Sequence, residues 1–269
     1  MNRTARKISR WSLTAVTLVY LTLFLIIPNV HLFLEAVEPG FKTLAVSLFT
    51  KYALAAIKNT FIVVTCSLFF TIPLGLLTSL LIVRDSFPGK KALNGFVDIP
   101  FAAPAAIGAF ALMITYGPRG LLGPLLQSSG IKIIFAMPGM ILATVFVTLP
   151  FMIREIVPLL EEIGTEAEDA AHTLGASRWQ TLIFITLPSL KEGIIHGISL
   201  SYSRALGEFG AILVLSGNIL GVTQTIPIYI YDSYIDYHMQ DAYAGALLLI
   251  LLSIAGRALL GIWKRKSKI

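Results

Sequence analysis

The sequence predicts an all-α membrane protein with six transmembrane helices in a single domain over residues 1–269. Three observations carry that prediction. Hydrophobic residues make up 56% of the chain and charged ones 13%, about half the roughly 25% charged share of soluble domains. Six apolar stretches have close to the roughly 20 residues that a hydrocarbon core about 30 Å thick requires; they are about 12–30, 57–83, 97–116, 135–156, 194–215 and 242–263. Lys and Arg gather at the ends of these stretches, mainly at alternate ends.

The first stretch follows Arg3, Arg6, Lys7 and Arg10. A basic start before an apolar run also suits a cleaved signal peptide, but the length and the lack of an A-x-A-like site favour a retained helix. The second stretch, with Cys66 and Pro73, leads to Arg84, Lys90 and Lys91. The third contains Pro100 and Pro104, and the fourth Pro150. Membrane helices tolerate proline because neighbouring segments re-satisfy the freed backbone groups. A connection longer than the others, about 157–192 and rich in helix formers, leads to the fifth stretch, the least apolar. A loop over about 216–241 then holds Asp232, Asp236 and Asp241 with no Lys or Arg. The sixth stretch carries Arg257 and runs into Lys264, Arg265, Lys266 and Lys268.

Alternating the spans puts fifteen of the 21 basic residues on one side, Arg154, Arg178 and Lys191 among them. Five lie opposite: Lys42, Lys51, Lys58, Arg119 and Lys132. Cytoplasmic loops carry the Lys/Arg excess, so both termini are expected in the cytoplasm and the chain in the inner (plasma) membrane. The formal charge of +6 is then a topology signal, not a nucleic-acid patch. The one cysteine can form no internal disulfide, and His31, His172, His196 and His238 lack a metal-ligand spacing such as H-E-x-x-H. Gly89-Lys90-Lys91 lacks the upstream glycine and following hydroxyl of a phosphate-binding G-x-x-x-x-G-K-S/T loop. With no nucleophile–base arrangement either, the chain reads as non-enzymatic, holding no metal or cofactor, with membrane lipid as its surroundings and no nucleic-acid partner.

Within the long connection, Thr165 with Glu168 predicts a capping box, and its helix runs to about Leu174, where Gly175 supplies the left-handed ending. Ser177 with Gln180 predicts a second box and a second helix that stops before Pro188. Residues 165–188 are thus expected to form a helix–glycine–helix hairpin. Ala167, Ala170, Ala171 and Leu174 share one face of its first helix. By periodicity alone that face suits either the chain's own surface or a partner's.

Spacing goes further. Asp169-Ala170-Ala171, then Gly175, then Ile185-Thr186-Leu187-Pro188 resembles the EAA loop of binding-protein-dependent ABC importers, with every interval matched and Asp169 in place of the usual Glu. The resemblance implies a type I importer permease fold in which Glu168, Asp169, Ala170, Ala171, Leu174, Gly175, Ile185, Leu187 and Pro188 form a coupling hairpin. It would seat on an ATP-binding subunit, two copies of which would consume ATP and Mg.

In the fifth stretch, Gly193, Gly197, Ser201, Arg204, Glu208 and Ala211 fall on one stripe. A charge at the centre of a membrane helix costs at least about 2.5–3.5 kcal/mol, so the stripe is expected to face a cavity or another helix. In the first case Ser201, Arg204, Gly207, Glu208 and Ala211 line a translocation path; in the second the glycines pack helices and Arg204 pairs with Glu208. The predicted external loops balance acid against base, so no electrostatic funnel for anions is expected there.

Ser203-Arg204-Ala205-Leu206-Gly207-Glu208-Phe209-Gly210-Ala211 is similar to the fifth span of sulfate and molybdate permeases. Phe87-Pro88-Gly89-Lys90, Asp98-Ile99-Pro100-Phe101-Ala102, Pro138-Gly139-Met140, Phe146 to Phe151 and Arg154-Glu155-Ile156-Val157-Pro158 resemble W-type sulfate permease subunits. The likeness implies sulfate or thiosulfate import, an extracytoplasmic sulfate-binding protein, and either a sister T-type permease or a second copy of this chain. Thr223-Gln224-Thr225-Ile226-Pro227 is also common in molybdate and tungstate permeases, so the oxyanion stays open. A secondary anion transporter would need coupling carboxylates in the membrane, where only Glu208 qualifies, and would leave the hairpin unexplained. An importer of phosphate or polyamine would not account for the fifth-span sequence.

Overall fold

A computed structural model describes the backbone of residues 3–266 and the side chains of residues 11–262. The side chains of Arg3, Arg6, Lys7, Arg10, Lys264, Arg265, Lys266 and Lys268, which the topology reading uses, lie outside those described. Every regular element among the described residues is helical. α1 (Arg3–Leu21) passes through a π turn (Thr22–Ile26) into α2 (Ile27–Val37). The turn ends two residues before Pro28, which has no N–H to continue the regular ladder. α3 (Phe41–Leu48) leads to α4 (Lys51–Arg84), which Thr50 caps by accepting from Ala53 N at 3.2 Å. There follow α5 (Lys90–Ala102), α6 (Ala105–Tyr116), α7 (Gly123–Ser128) and α8 (Met137–Ile163). The connection to the fifth stretch forms α9 (Glu166–Thr173), α10 (Arg178–Thr181), a second π turn (Leu182–Thr186) and α11 (Leu187–Ser189). α12 (Lys191–Leu206), α13 (Gly210–Ser216), α14 (Ile226–Ile235) and α15 (Met239–Lys266) complete the chain.

Four helical segments are long and apolar enough to cross a membrane: Trp11–Val37, Lys51–Arg84, Met137–Ile163 and Met239–Ile262. The other two expected spans are not continuous. The third, expected over 97–116, is broken between α5 and α6, where the chain bends by 116°. Pro104 forces Ala103 into extended backbone (φ −100°, ψ 138°), because its ring clashes with a helical residue before it. The fifth, expected over 194–215, bends by 57° at Gly207–Phe209, between α12 and α13.

α8 is the mast of the bundle. α4 runs parallel to it: Val63 packs on Met140, Thr71 Oγ1 lies 3.0 Å from Thr148 Oγ1, and Ile82 packs on Ile153 and Val157. α12 runs antiparallel, with Gly193 against Leu159, Gly197 against Met152, and Ser201 Oγ donating to Thr148 O at 3.4 Å. Small residues let these backbones approach closely, which is what drives association where lipid is as apolar as leucine. α6 and α13 pack on the N-terminal half of α8 through Ala109, Ala143, Val147, Ala211 and Leu215. α15 joins α12 through Tyr202 Oη, a donor to Leu252 O at 3.2 Å, and holds the end of α2 through Gln240 Nε2, a donor to Ala36 O at 2.9 Å. Between Trp11 and Ile26 the side chains stand exposed on this chain.

Candidate functional site

The hairpin hangs from the shared end of α4 and α8. α8 stops at Gly164, whose φ of +69° is left-handed and favours glycine. Arg84, the last residue of α4, donates to Leu160 O at 3.1 Å and Gly164 O at 2.6 Å, carbonyls in the last turn and at the cap of α8. A cation there suits the negative end of the helix dipole. Its Nε lies 3.0 Å from Glu168 Oε2, and both side chains are only 17% exposed. The other carboxylate oxygen of Glu168 accepts from Thr186 Oγ1 at 2.8 Å. One carboxylate therefore joins the end of α4, the start of α9 and the π turn below α12.

This network overturns the expected box at Thr165. No capping bond forms there; Thr165 Oγ1 donates instead to Asp169 Oδ2 at 2.8 Å, and Glu168 is drawn away to Arg84. The second box does form, with Ser177 N donating to Gln180 Oε1 at 2.7 Å and Gln180 N donating to Ser177 Oγ at 3.3 Å. Gly175 adopts φ +91° between the two helices. The second helix does not stop before Pro188. The π turn shifts its hydrogen bonds by one residue, Leu187 N donating to Leu182 O, and Pro188 falls in the first turn of α11.

The alanine face is split. Ala171 is buried, while Ala167, Ala170 and Asp169 are exposed. Ile185 and Leu187 are half-buried and Pro188 is exposed. Leu174 is 88%, Trp179 72% and Phe184 73% exposed, with Ile183 beside them. Large apolar side chains thus stand exposed on an otherwise polar hairpin. Of these, sequence reading named Leu174 alone.

At the break in the fifth span, Arg204 Nη1 lies 2.7 Å from Glu208 Oε2, and Glu208 Oε1 accepts from Ala211 N at 2.8 Å. The carboxylate thus holds the start of α13, while the guanidinium sits in the last turn of α12, each favoured by the local dipole. Glu208 is 1% exposed; the side chain of Arg204 is 34% exposed and Gly207 is open. Ser201 and Ala211 are fully buried between helices. Gly193, Gly197 and Ser201 face α8, so the helix-packing alternative describes that part of the stripe, and Arg204 and Gly207 are what it leaves open.

Sequence reading missed a second charged pair. Arg154 of α8 donates from Nε and Nη2 to Asp98 Oδ1 of α5, at 3.0 and 2.6 Å, beside an edge-on pair of rings, Phe101 and Phe151. The Thr223–Pro227 segment is a tether: Asn59 donates to Val222 O and Gln224 O, Thr60 Oγ1 accepts from Ile226 N, and Gln224 and Asn218 bind Asp232. No group of three or more His, Cys, Asp or Glu that could hold a metal occurs among the described residues.

The family model for the binding-protein-dependent transport system inner membrane component matches residues 71–268. The chain belongs to that family. This permease is 43% identical over 238 residues to the sulfate transport system permease protein CysW of Synechococcus elongatus, covering 88% of this chain and 83% of that protein. It is 34% identical over 245 residues to CysW of Escherichia coli K12, covering 91% and 84%. Among solved structures, a bacterial alginate ABC transporter in complex with an alginate pentasaccharide-bound periplasmic protein superposes with a TM-score of 0.81 over 98% of each chain, at 21% identity. That likeness places the permease in the ABC importer fold. The chain is accordingly a multi-pass inner-membrane transport subunit, not an enzyme.

Proposed function

We propose that this permease is a membrane subunit of an ATP-driven sulfate importer supplied by an extracytoplasmic binding protein. The observation that carries the reading is the hairpin, whose EAA-type spacing is joined to an exposed apolar ridge of Leu174, Trp179 and Phe184. Such a ridge fits a groove on an ATP-binding subunit. The likeness to CysW proteins supports sulfate as the cargo, a sister T-type permease as the other half of the membrane core, and two ATP-binding subunits using Mg and ATP. Basic residues at the hairpin end of the bundle support cytoplasmic termini.

In this reading, nucleotide-driven closure of the ATP-binding subunits moves the hairpin, and the membrane helices switch access from one face to the other. Sulfate passes the broken fifth span beside Arg204 and Gly207, while Ser201, Glu208 and Ala211 hold the shape of that break. Glu208 largely neutralises Arg204, so the wall contacts a dianion without trapping it; selection belongs to the binding protein.

The test is labelled-sulfate uptake in cells lacking the gene and in cells complemented with it, with molybdate as competitor. Restored uptake that resists modest molybdate is expected. Restored molybdenum accumulation without sulfate uptake would overturn the cargo.

A further inference from the structure

Two acids stand side by side at the start of α9 and face opposite ways. Asp169 is exposed and bonded only to neighbouring Thr165. Glu168 is turned inward onto Arg84 and Thr186. Without that contact the hairpin would join the bundle through weak links. Gly164 and Gly175, both with positive φ, bracket α9, and α10 leads into a π turn. Glycine in the left-handed region and a π turn are both points where backbone torsion changes easily. A hairpin hung on such links would swing on its own, and a push on it would be absorbed there.

The Arg84–Glu168–Thr186 network closes that gap. Arg84 is bound to two α8 carbonyls and one α9 carboxylate at once, so the ends of α4 and α8 and the start of α9 move as one piece. Thr186 extends the piece to the segment that becomes α12. Charge-assisted bonds between side chains this well buried are about twice as strong as neutral ones. We infer that Arg84, Glu168 and Thr186 are positioning residues that form a strut, carrying displacement of the hairpin into α4, α8 and α12, whereas Asp169 and the apolar ridge face the partner. This deepens the proposed function and rests on it.

The test reconstitutes the whole importer in proteoliposomes, with binding protein, and measures labelled sulfate moved per ATP hydrolysed for Glu168→Gln, Thr186→Val, Thr186→Ser and the parent. The strut predicts that the ATPase still co-purifies with each variant and that, in the two Thr186 variants, hydrolysis without binding protein stays near the parent's. Sulfate moved per ATP falls about tenfold in Glu168→Gln and Thr186→Val, the scale of an ordinary coupling free energy, and Thr186→Ser restores it. Unchanged sulfate per ATP in Thr186→Val overturns the strut, and this variant decides if Glu168→Gln fails to accumulate. Release of the ATPase by Glu168→Gln also overturns it, by making the carboxylate a docking contact. If the parent itself never co-purifies with an ATPase, it is the importer reading that fails.

Discussion

Met152 shows how closely the core is set. Its side chain is fully buried on α8. A Cβ added to Gly75 of α4 would lie 2.5 Å from its Cγ, and one added to Gly197 of α12 would lie 2.5 Å from its sulfur. Met152→Ala should therefore open a cavity between three helices and cost about 2–5 kcal/mol, read as a lowered unfolding temperature in detergent. Glu208 allows a finer comparison. Glu208→Gln keeps an acceptor for Ala211 N and loses only the charge facing Arg204, whereas Glu208→Ala loses both. Uptake and thermal stability should fall in the order parent, Gln, Ala, and equal losses would show that the bond to Ala211 does not matter. At this scale the sequence was legible where the contact is local. Ser177 and Gln180 bond as their spacing predicts, because nothing distant competes. Thr165 and Glu168 do not, because Arg84, 84 positions away, takes the carboxylate. A lone arginine at the end of an apolar stretch looks only like a topology determinant.

At the scale of elements, the hairpin's apolar ridge and its internal packing are separable. Leu174→Asp and Trp179→Ser change side chains that touch little of this chain, so they should leave thermal stability within about 0.5 kcal/mol, as exposed substitutions do. The same changes should abolish co-purification of the ATPase, since a buried Trp or Leu anchor carries much of an interface's energy. Retained co-purification would move the docking surface elsewhere. The element-level reading of the sequence was sound for the helices whose apolar run is unbroken. It failed at α5–α6, where proline in a span was expected to be absorbed. Ala103 is held extended, and the chain bends by 116° between the two halves. At α12–α13 the sequence held the cue, Gly207 beside a buried acid, but the bend depends on Glu208 reaching Ala211 and Arg204 together.

For the whole molecule, alternation of direction is the claim open to the simplest check. α4 parallel to α8, and α12 antiparallel to both, is the order that successive crossings produce. With Cys66→Ala removing the one native cysteine, and in vesicles stripped of the ATPase, Leu174→Cys should react with an impermeant maleimide only in inside-out vesicles, and Leu121→Cys only in right-side-out ones. Labelling of both from the same side would overturn the alternation. Composition and basic flanks made this scale the most legible of the three, because the membrane itself imposes the rule. What they could not show was which helices touch.

That pairing decides the order of assembly. Parallel neighbours cannot be joined by a tight turn, and Thr71 meets Thr148 across 77 positions. During synthesis α4 therefore enters the bilayer long before its partner has been made, and Ser67, Thr71 and Gly75 wait there without the surface they fit. The bundle has no centre until α8 has been made, and α12, which packs on α8 in turn, is made later still. Arg84 waits too, since it is made with the second crossing and completes its contacts only when Glu168 and Thr186 have left the ribosome, and Asn59 and Thr60 wait longer still, for Gln224 and Ile226.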